Sequence, residues 1–153
     1  MRNTASFDET RDWFLSLLLR RSCTRREAEG RLRRRGTDPA MSEALLAEAQ
    51  EMGLLDDAAY ARLFVEGHES WGRGRIAFEL GQRGISDEDI QAALEEVDEV
   101  ERATALAVPW HESGLETRKL VARLYRRGFD GRAIRSACRS LEDTGENEED
   151  EAR

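Results

Sequence analysis

The chain has 153 residues, of which 37% are charged and 39% are hydrophobic, and only two are proline. This composition is typical of a solvent-rich helical protein and unlike a β protein rich in turns. No apolar run approaches the length of a membrane span, and Met1 to Asp12 lacks the apolar core of a signal peptide. We therefore expect a cytoplasmic protein, in which Cys23 and Cys138 remain reduced thiols.

The net charge of −8 hides a segregation of charge along the chain. Residues 1–39 carry ten basic and six acidic side chains, residues 40–101 carry four and sixteen, and residues 102–141 carry nine and three. The body is thus positive, negative and positive in turn. Residues 142–153 add seven acids and almost no apolar side chain, so we expect a disordered acidic tail that cannot offset the entropy of ordering.

The first third of the chain predicts three helices. Their starting signals are the capping residues Ser6, Thr24 and the pair Asp38-Pro39. The predicted spans are 7–21, 25–35 and 39–52. Gly36 ends the second helix and Gly53 ends the third, because glycine takes the left-handed conformation that other residues resist.

The middle of the chain opens on Gly53-Leu-Leu-Asp-Asp57, in which Asp56 caps a helix from Asp57 to about Glu69. We expect the side chains of this helix that face inward to be Tyr60, Leu63 and Phe64. Trp71-Gly-Arg-Gly74 makes the next turn. Two short helices then follow on either side of Gly84, and Ser86 caps the second of them.

The last third predicts a helix from about Glu99 to His111, interrupted by Pro109, which removes a backbone donor and should bend or end it. Gly114 breaks the chain. Helices over residues 116–127 and 130–141 follow, separated by Gly128.

A Leu-x-x-x-Gly spacing recurs three times, each time with an arginine before the glycine. The copies are Leu32 to Gly36, Leu80 to Gly84 and Leu124 to Gly128, 48 and 44 residues apart. A period in the forties predicts helical units that bury their apolar faces against one another. We expect an all-α, elongated array of three tandem three-helix repeats. The predicted borders are 1–53, 54–98 and 99–141, followed by the tail 142–153.

No known catalytic motif occurs in the sequence, so we expect no enzyme, no metal and no cofactor. His68 and His111 each precede a glutamate and could in principle serve a metal or a proton transfer, but surface positions at helix ends are the commoner outcome. Gly72-Arg-Gly74 could contact phosphate through glycine backbone and a bidentate arginine. An ordinary turn between helices explains the same residues more often.

Arginine dominates the basic residues, since 23 of the 24 are Arg and only Lys119 is Lys. This bias favours forked contacts with carboxylates or phosphates. In one interpretation these arginines lie on solvated helix faces and pair with nearby acids. In the other they form positive patches that bind an acidic or polyanionic partner. The candidate partner-binding residues are Arg31, Arg34, Arg73, Arg75, Arg123 and Arg127.

The aromatic residues fall into two groups. Those at core spacing, which we expect to pack inside the units, are Trp13, Phe14, Tyr60, Phe64 and Phe78. Those at turns or helix ends are Trp71, Trp110 and Phe129. For the second group burial is the commoner outcome and a partner-facing anchor is the alternative, because interfaces favour Trp and Arg.

Three stretches together resemble the RecX family of bacterial recombination regulators. They are Gly53-Leu-Leu-Asp-Asp-x-x-Tyr60-Ala61, Arg75-Ile76-x-x-Glu79-Leu80-x-x-Arg83-Gly84-Ile85 and Leu124-x-x-Arg127-Gly128-Phe129. The resemblance implies three tandem three-helix repeats and a protein that binds the RecA filament on single-stranded DNA. It further implies that the protein lies in the filament groove and restrains filament growth, ATP hydrolysis, strand exchange and the co-protease activity of RecA.

The sequence leaves two other functions open. A nucleic-acid-binding protein could use helix pairs joined at a glycine, although the overall acidity argues against it, and a scaffold for a different protein partner fits the repeats almost as well. Beside RecA we expect at most a weak direct contact with nucleic acid, no membrane contact and a monomer. The acidic middle repeat and the tail are departures from the family pattern.

Overall fold

The computed structural model describes the backbone of residues 6–151 and the side chains of residues 6–143. This part contains nine α-helices and no β-strand, which confirms the all-α class. The helices are α1 Phe7–Arg20, α2 Arg25–Arg34, α3 Pro39–Glu51, α4 Asp57–Gly67, α5 Arg73–Gln82, α6 Asp87–Leu94, α7 Glu99–Glu112, α8 Thr117–Arg126 and α9 Gly131–Glu151. None of them, over the described residues, could cross a bilayer. The backbone of α9 continues to Glu151, past the predicted helix end at residue 141. The predicted acidic tail 142–153 otherwise stays a prediction, because the side chains of residues 144–153 lie outside the described part.

Side-chain caps begin most of the helices, as the sequence predicts. Each capping oxygen accepts a backbone N–H from the first turn, which otherwise has no partner inside the helix. Thr24 and Glu27 form a complete capping box at α2. The capping side chains are Ser6, Thr24, Asp38, Asp56, Ser86, Asp98 and Asp130.

The repeated Leu-x-x-x-Gly spacing is explained by one helix-ending geometry. Gly36, Gly84 and Gly128 have φ angles of 83°, 82° and 88°, in the left-handed region that favours glycine. The residue after each glycine donates its N–H to the carbonyl of the leucine that lies four residues before that glycine, at 3.1 to 3.2 Å. All three leucine side chains are fully buried, so one residue both anchors the helix in the core and accepts its closing hydrogen bond.

The chain divides into two compact units. Unit 1 comprises Met1–Leu63 with Leu80–Ala92, and unit 2 comprises Phe64–Glu79 with Ala93–Arg153. The unit borders pass through α4, α5 and α6 and therefore do not follow the predicted repeat borders, which stay a prediction.

Each unit has its own buried core. The core of unit 1 is formed by Phe14, Leu18, Cys23, Ala28, Leu32, Leu45, Leu46, Ala49 and Leu55. In unit 2 the α7–α9 core is formed by Ala103, Ala107, Leu120, Leu124, Phe129, Ala133, Ile134, Ala137 and Leu141. Phe129 is 2% exposed, so burial is the correct alternative for this aromatic residue.

Two side chains that the spacing places in the core are instead exposed. Leu63 is 65% exposed and Phe78 is 63% exposed. Each lies two residues from a buried neighbour, Val65 and Leu80 respectively, and two residues turn a helix by more than half a circle away from the buried stripe. The predicted inward orientation of Leu63 and Phe78 is therefore wrong.

Pro109 does not end α7, which continues to Glu112. The helical hydrogen bond that proline removes is the one to the carbonyl of Ala105, and Ala105 is exposed to solvent. The carbonyl of Pro109 itself accepts from the N–H of Ser113 at 3.0 Å. Of the two predicted effects of Pro109, ending the helix does not occur, and α7 runs one residue past the predicted end at His111.

Thr24 fixes the start of α2 within unit 1. Its buried hydroxyl accepts from the N–H of Glu27 at 3.2 Å and donates to the carbonyl of Arg83 at 2.7 Å. We expect Thr24→Ala to lower the free energy of unfolding by about 2 to 3 kcal/mol, because it removes a cap and leaves a part-buried carbonyl without its donor. Denaturant unfolding measures this loss.

The matched control for Thr24→Ala is Ser6→Ala, which removes an exposed cap alone. We expect the control to cost less than about 1 kcal/mol. Equal losses in the two variants would show that the bond to Arg83 contributes nothing.

Candidate functional site

The turn Trp71-Gly-Arg-Gly74 is held against the end of α8 in unit 2. The N–H of Gly72 donates to the carbonyl of Arg127 at 2.8 Å, and the N–H of Gly74 donates to the carbonyl of Gly128 at 3.1 Å. A Cβ at Gly72 would overlap the Gly128 peptide, so the close approach requires glycine. Both N–H groups are thus already hydrogen-bonded to carbonyls of the protein itself. The structure supports an interhelix turn here rather than a backbone phosphate cradle.

Beside this turn four arginines converge on one groove. The groove has a volume of about 350 Å³. Its lining residues are Arg75, Trp110, Arg123, Arg126 and Arg127. Arg75 lies in the first turn of α5, whereas the other three arginines lie at or just after the end of α8. The arginines at the end of α8 also complement the partial negative charge of that helix end.

Tryptophan rings orient three of these guanidinium groups. The Cζ atom of Arg75 lies 3.9 Å from the ring centroid of Trp71. The Cζ atoms of Arg123 and Arg127 lie 5.4 Å and 5.3 Å from the ring centroid of Trp110. Such cation–π contacts hold a charged group in place without neutralising it. Both tryptophans, only partly buried, serve as platforms for arginine.

Two further contacts stiffen the groove. Arg127 donates from Nη1 to the carbonyl of Ser70 at 3.5 Å. On its other flank Trp71 lies 4.3 Å from the ring of His68, which stacks at 4.0 Å on Phe64. Arg75 therefore ends a row of stacked side chains that runs through Trp71 and His68 to Phe64.

Among the described side chains, no carboxylate forms an ion pair with a groove arginine. The ion pairs of Arg11 with Glu48, of Arg25 with Glu29 and Glu43, and of Arg33 with Glu29 all lie within unit 1. The four groove arginines take part in none of them. Four like charges, unpaired within the described part of the chain, form an electrostatic site that attracts a negatively charged ligand or surface.

The other predicted partner-binding residues lie elsewhere. Arg34 lines a groove of about 440 Å³ in unit 1, together with Arg26, Arg33, Glu27 and Glu29, so the charge there is mixed.

The two remaining predicted residues line neither of these grooves. Arg31 is only half exposed on α2. Arg73 donates from Nη2 to the carbonyl of Val97 at 2.6 Å and lines no part of the arginine groove.

The structure thus brings together Arg75, Arg123 and Arg127 of the six predicted residues. It adds Arg126 and Trp110, which were not among the six. The spacing of Arg123, Arg126 and Arg127 along one helix contained the signal for the first addition, since residues three and four apart share a helix face.

Glu99, in the first turn of α7, is a second unusual group in unit 2. Its Oε1 accepts the N–H of Arg73 at 3.3 Å and the N–H of Asp130 at 3.2 Å. Burial raises the pKa of the Glu99 carboxyl above its ordinary value, and the two N–H donors oppose that rise only in part. The carboxylate thereby links the starts of α5, α7 and α9, while its partial removal from water costs free energy.

We expect Glu99→Gln to stabilise the protein at neutral pH by up to about 1 kcal/mol. A raised folded-state pKa means that the folded chain binds the proton more tightly, so this group's contribution to stability is lost as pH rises from about 4 through the folded-state pKa. Glutamine keeps an acceptor oxygen without the charge. Denaturant unfolding at pH 7 and pH 4 should show the gain only at pH 7.

The control for Glu99→Gln is Glu101→Gln on the same helix, where the side chain is exposed. It removes only a favourable acid in the first turn of α7, so we expect a loss of a few tenths of a kcal/mol. A loss at Glu99 as well would contradict the assigned cost of its burial.

The fold and the groove define a helical-repeat protein with an arginine-lined surface. The family model of the second three-helix domain of RecX matches residues 56–94. The chain is 37% identical over 151 residues to the regulatory protein RecX of Halorhodospira halophila, covering 93% of this chain and 94% of that one. It is 38% identical over 135 residues to the regulatory protein RecX of Chromohalobacter salexigens, covering 83% and 89%. The chain belongs to the RecX family.

A solved structure confirms the fold. The crystal structure of RecX from Lactobacillus salivarius superimposes with a TM-score of 0.81 at 21% sequence identity, covering 89% of this chain and 96% of that one. At this identity the likeness concerns the fold alone.

Proposed function

We propose that this protein regulates RecA. It binds the RecA filament on single-stranded DNA, lies in the filament groove across neighbouring subunits, and restrains filament growth, ATP hydrolysis, strand exchange and co-protease activity. It thereby acts in recombination, DNA repair and the SOS response, as a cytoplasmic monomer without a cofactor. Membership of a family whose relatives are named regulatory proteins supports the regulatory role. The observation that carries the binding role is the groove of four arginines, none of which pairs with a carboxylate among the described side chains.

The binding is shared among several weak contacts. Arginines of unit 2, Arg75 and Arg123 among them, meet acidic RecA surface or the nucleic acid of the filament, and Arg31 and Arg34 add a second basic contact from unit 1. The acidic middle of the sequence faces basic RecA surface. Linked contacts to adjacent filament subunits raise the affinity without any single strong interaction.

Co-sedimentation with RecA filaments tests this proposal. Filaments assembled on single-stranded DNA with a slowly hydrolysed nucleotide are centrifuged with the full chain, and we expect saturable pelleting at a fixed ratio to RecA. Free RecA without DNA serves as the comparison. A chain that stays in the supernatant at every ratio would show that the partner is not the filament.

A stand-alone nucleic-acid-binding function is the second candidate, and the arginine groove beside Trp110 is the observation that favours it. Binding to bare single-stranded DNA would then be strong and steeply dependent on salt, with a log–log slope of about −4 for six phosphate contacts. We expect only weak binding to bare DNA, because the net charge of −8 repels a polyanion at long range.

A further inference from the structure

The arginine groove gathers its positive charge in one place. Its four arginines line a single open volume of about 350 Å³. A strand offers one negative charge per nucleotide, whereas linked phosphate groups place several charges within a few ångströms. The convergence of Arg75, Arg123, Arg126 and Arg127 matches the second distribution.

The groove also has an aromatic wall. The half-buried ring of Trp110 lies among the arginines, with Arg123 and Arg127 each within 5.5 Å of its centroid. Aromatic side chains stack on nucleobases of any sequence. The volume of the groove lies within the range of small-molecule sites. Phosphate-binding groups and a stacking surface therefore meet in one site of nucleotide size.

The groove is prepared before a ligand arrives. Arg75 is seated on Trp71, Arg127 is held by the carbonyl of Ser70, and the glycine contacts fix the turn that carries Arg75 against the end of α8. Preorganised donors lose little entropy on binding. The repulsion among the four guanidinium groups is relieved when a polyanion enters.

From this geometry we propose that the groove is a binding site for a nucleoside triphosphate. The triphosphate lies among Arg75, Arg123, Arg126 and Arg127, and the base lies against Trp110. This inference goes beyond the proposed regulation of RecA and stands whether or not the filament is the partner. If the filament uses the same arginines, the free nucleotide and the filament compete for them.

Calorimetric titration of the full chain without RecA tests the site. ATP, AMP, inorganic triphosphate and a short thymidine oligonucleotide are compared at matched ionic strength. We expect one ATP per chain, with AMP binding about tenfold or more weakly because it lacks two of the phosphates. We expect inorganic triphosphate to bind more weakly than ATP, since it cannot stack on Trp110.

Variants at exposed positions separate this groove from general positive charge. Arg123→Gln with Arg126→Gln should weaken ATP binding by about tenfold or more, while Arg33→Gln in unit 1 should leave it unchanged. Circular dichroism confirms that each variant is folded. Equal binding of ATP and AMP, or an unchanged affinity in the groove variant, would overturn the proposal.

The oligonucleotide distinguishes the two sources of phosphate. If the oligonucleotide displaces ATP at a total phosphate concentration below that at which ATP half-saturates the site, the groove binds a strand and the nucleotide proposal is wrong. If it fails to displace ATP, the site is one for free nucleotide. Filament co-sedimentation is measured separately, so loss of ATP binding and loss of RecA binding are distinguishable outcomes.

Discussion

Gly128→Ala is expected to destabilise unit 2 by about 4 kcal/mol or more. Gly128 has a φ angle of 88°, which alone costs an alanine about 1 kcal/mol. An added Cβ would also overlap the backbone N of Arg75 and lie 2.5 Å from the Cβ of Arg75. Neither atom can move without opening the joint between the Trp71 turn and α8, so the strain and the overlap add.

Gly114→Ala is the matched control for that substitution. Gly114 has a φ angle of 91°, but a Cβ there would meet nothing within 4 Å. We expect it to lose only about 1 kcal/mol, as the backbone conformation requires. Urea unfolding followed by circular dichroism measures both variants. Similar losses would show that the contact between Gly128 and Arg75 is loose.

Charge reversal in the groove should have the largest effect on the binding of RecA filaments. We expect Arg123→Glu with Arg126→Glu to weaken binding by about 30-fold or more, because two attractive contacts become repulsive. Both side chains are exposed, so the core of unit 2 is left intact. Filament co-sedimentation across a titration of the variant measures the affinity.

The control for charge reversal changes the same number of charges in the same unit. Arg118→Glu with Arg132→Glu alters two exposed arginines that do not line the groove. We expect a small loss that disappears at higher salt, since only long-range attraction is reduced. Equal losses in both double variants would mean that filament binding depends on net charge and not on the groove.

The helix ends could be predicted from the sequence because their signals are local. Thr24 and Glu27 lie three residues apart, and Leu124 and Gly128 lie four apart, so each cap or stop forms within a single turn and needs no tertiary information.

The core could be predicted only in part. Phe78 is apolar and near Leu80, yet its position on the helix turns it outward, so residue type without the exact helical phase gave the wrong orientation.

The groove could not be predicted because it depends on tertiary contacts. Arg75 and Arg123 are 48 positions apart in the sequence and meet only because two glycines let the Trp71 turn approach the end of α8. Arg73 and Arg75 show the limit most clearly. Both are arginines in the first turn of α5, but one binds the Val97 carbonyl and the other stacks on Trp71.

The most direct test is the ATPase rate of the cognate RecA on single-stranded DNA, with this protein titrated from well below stoichiometric amounts. Binding to bare DNA is measured alongside, and the Arg123→Glu, Arg126→Glu variant is the internal control. We predict inhibition at low ratios of wild-type protein to RecA, with weak binding to bare DNA and little inhibition by the variant. An unchanged ATPase rate at every ratio would contradict regulation of RecA and leave a helical scaffold for another partner.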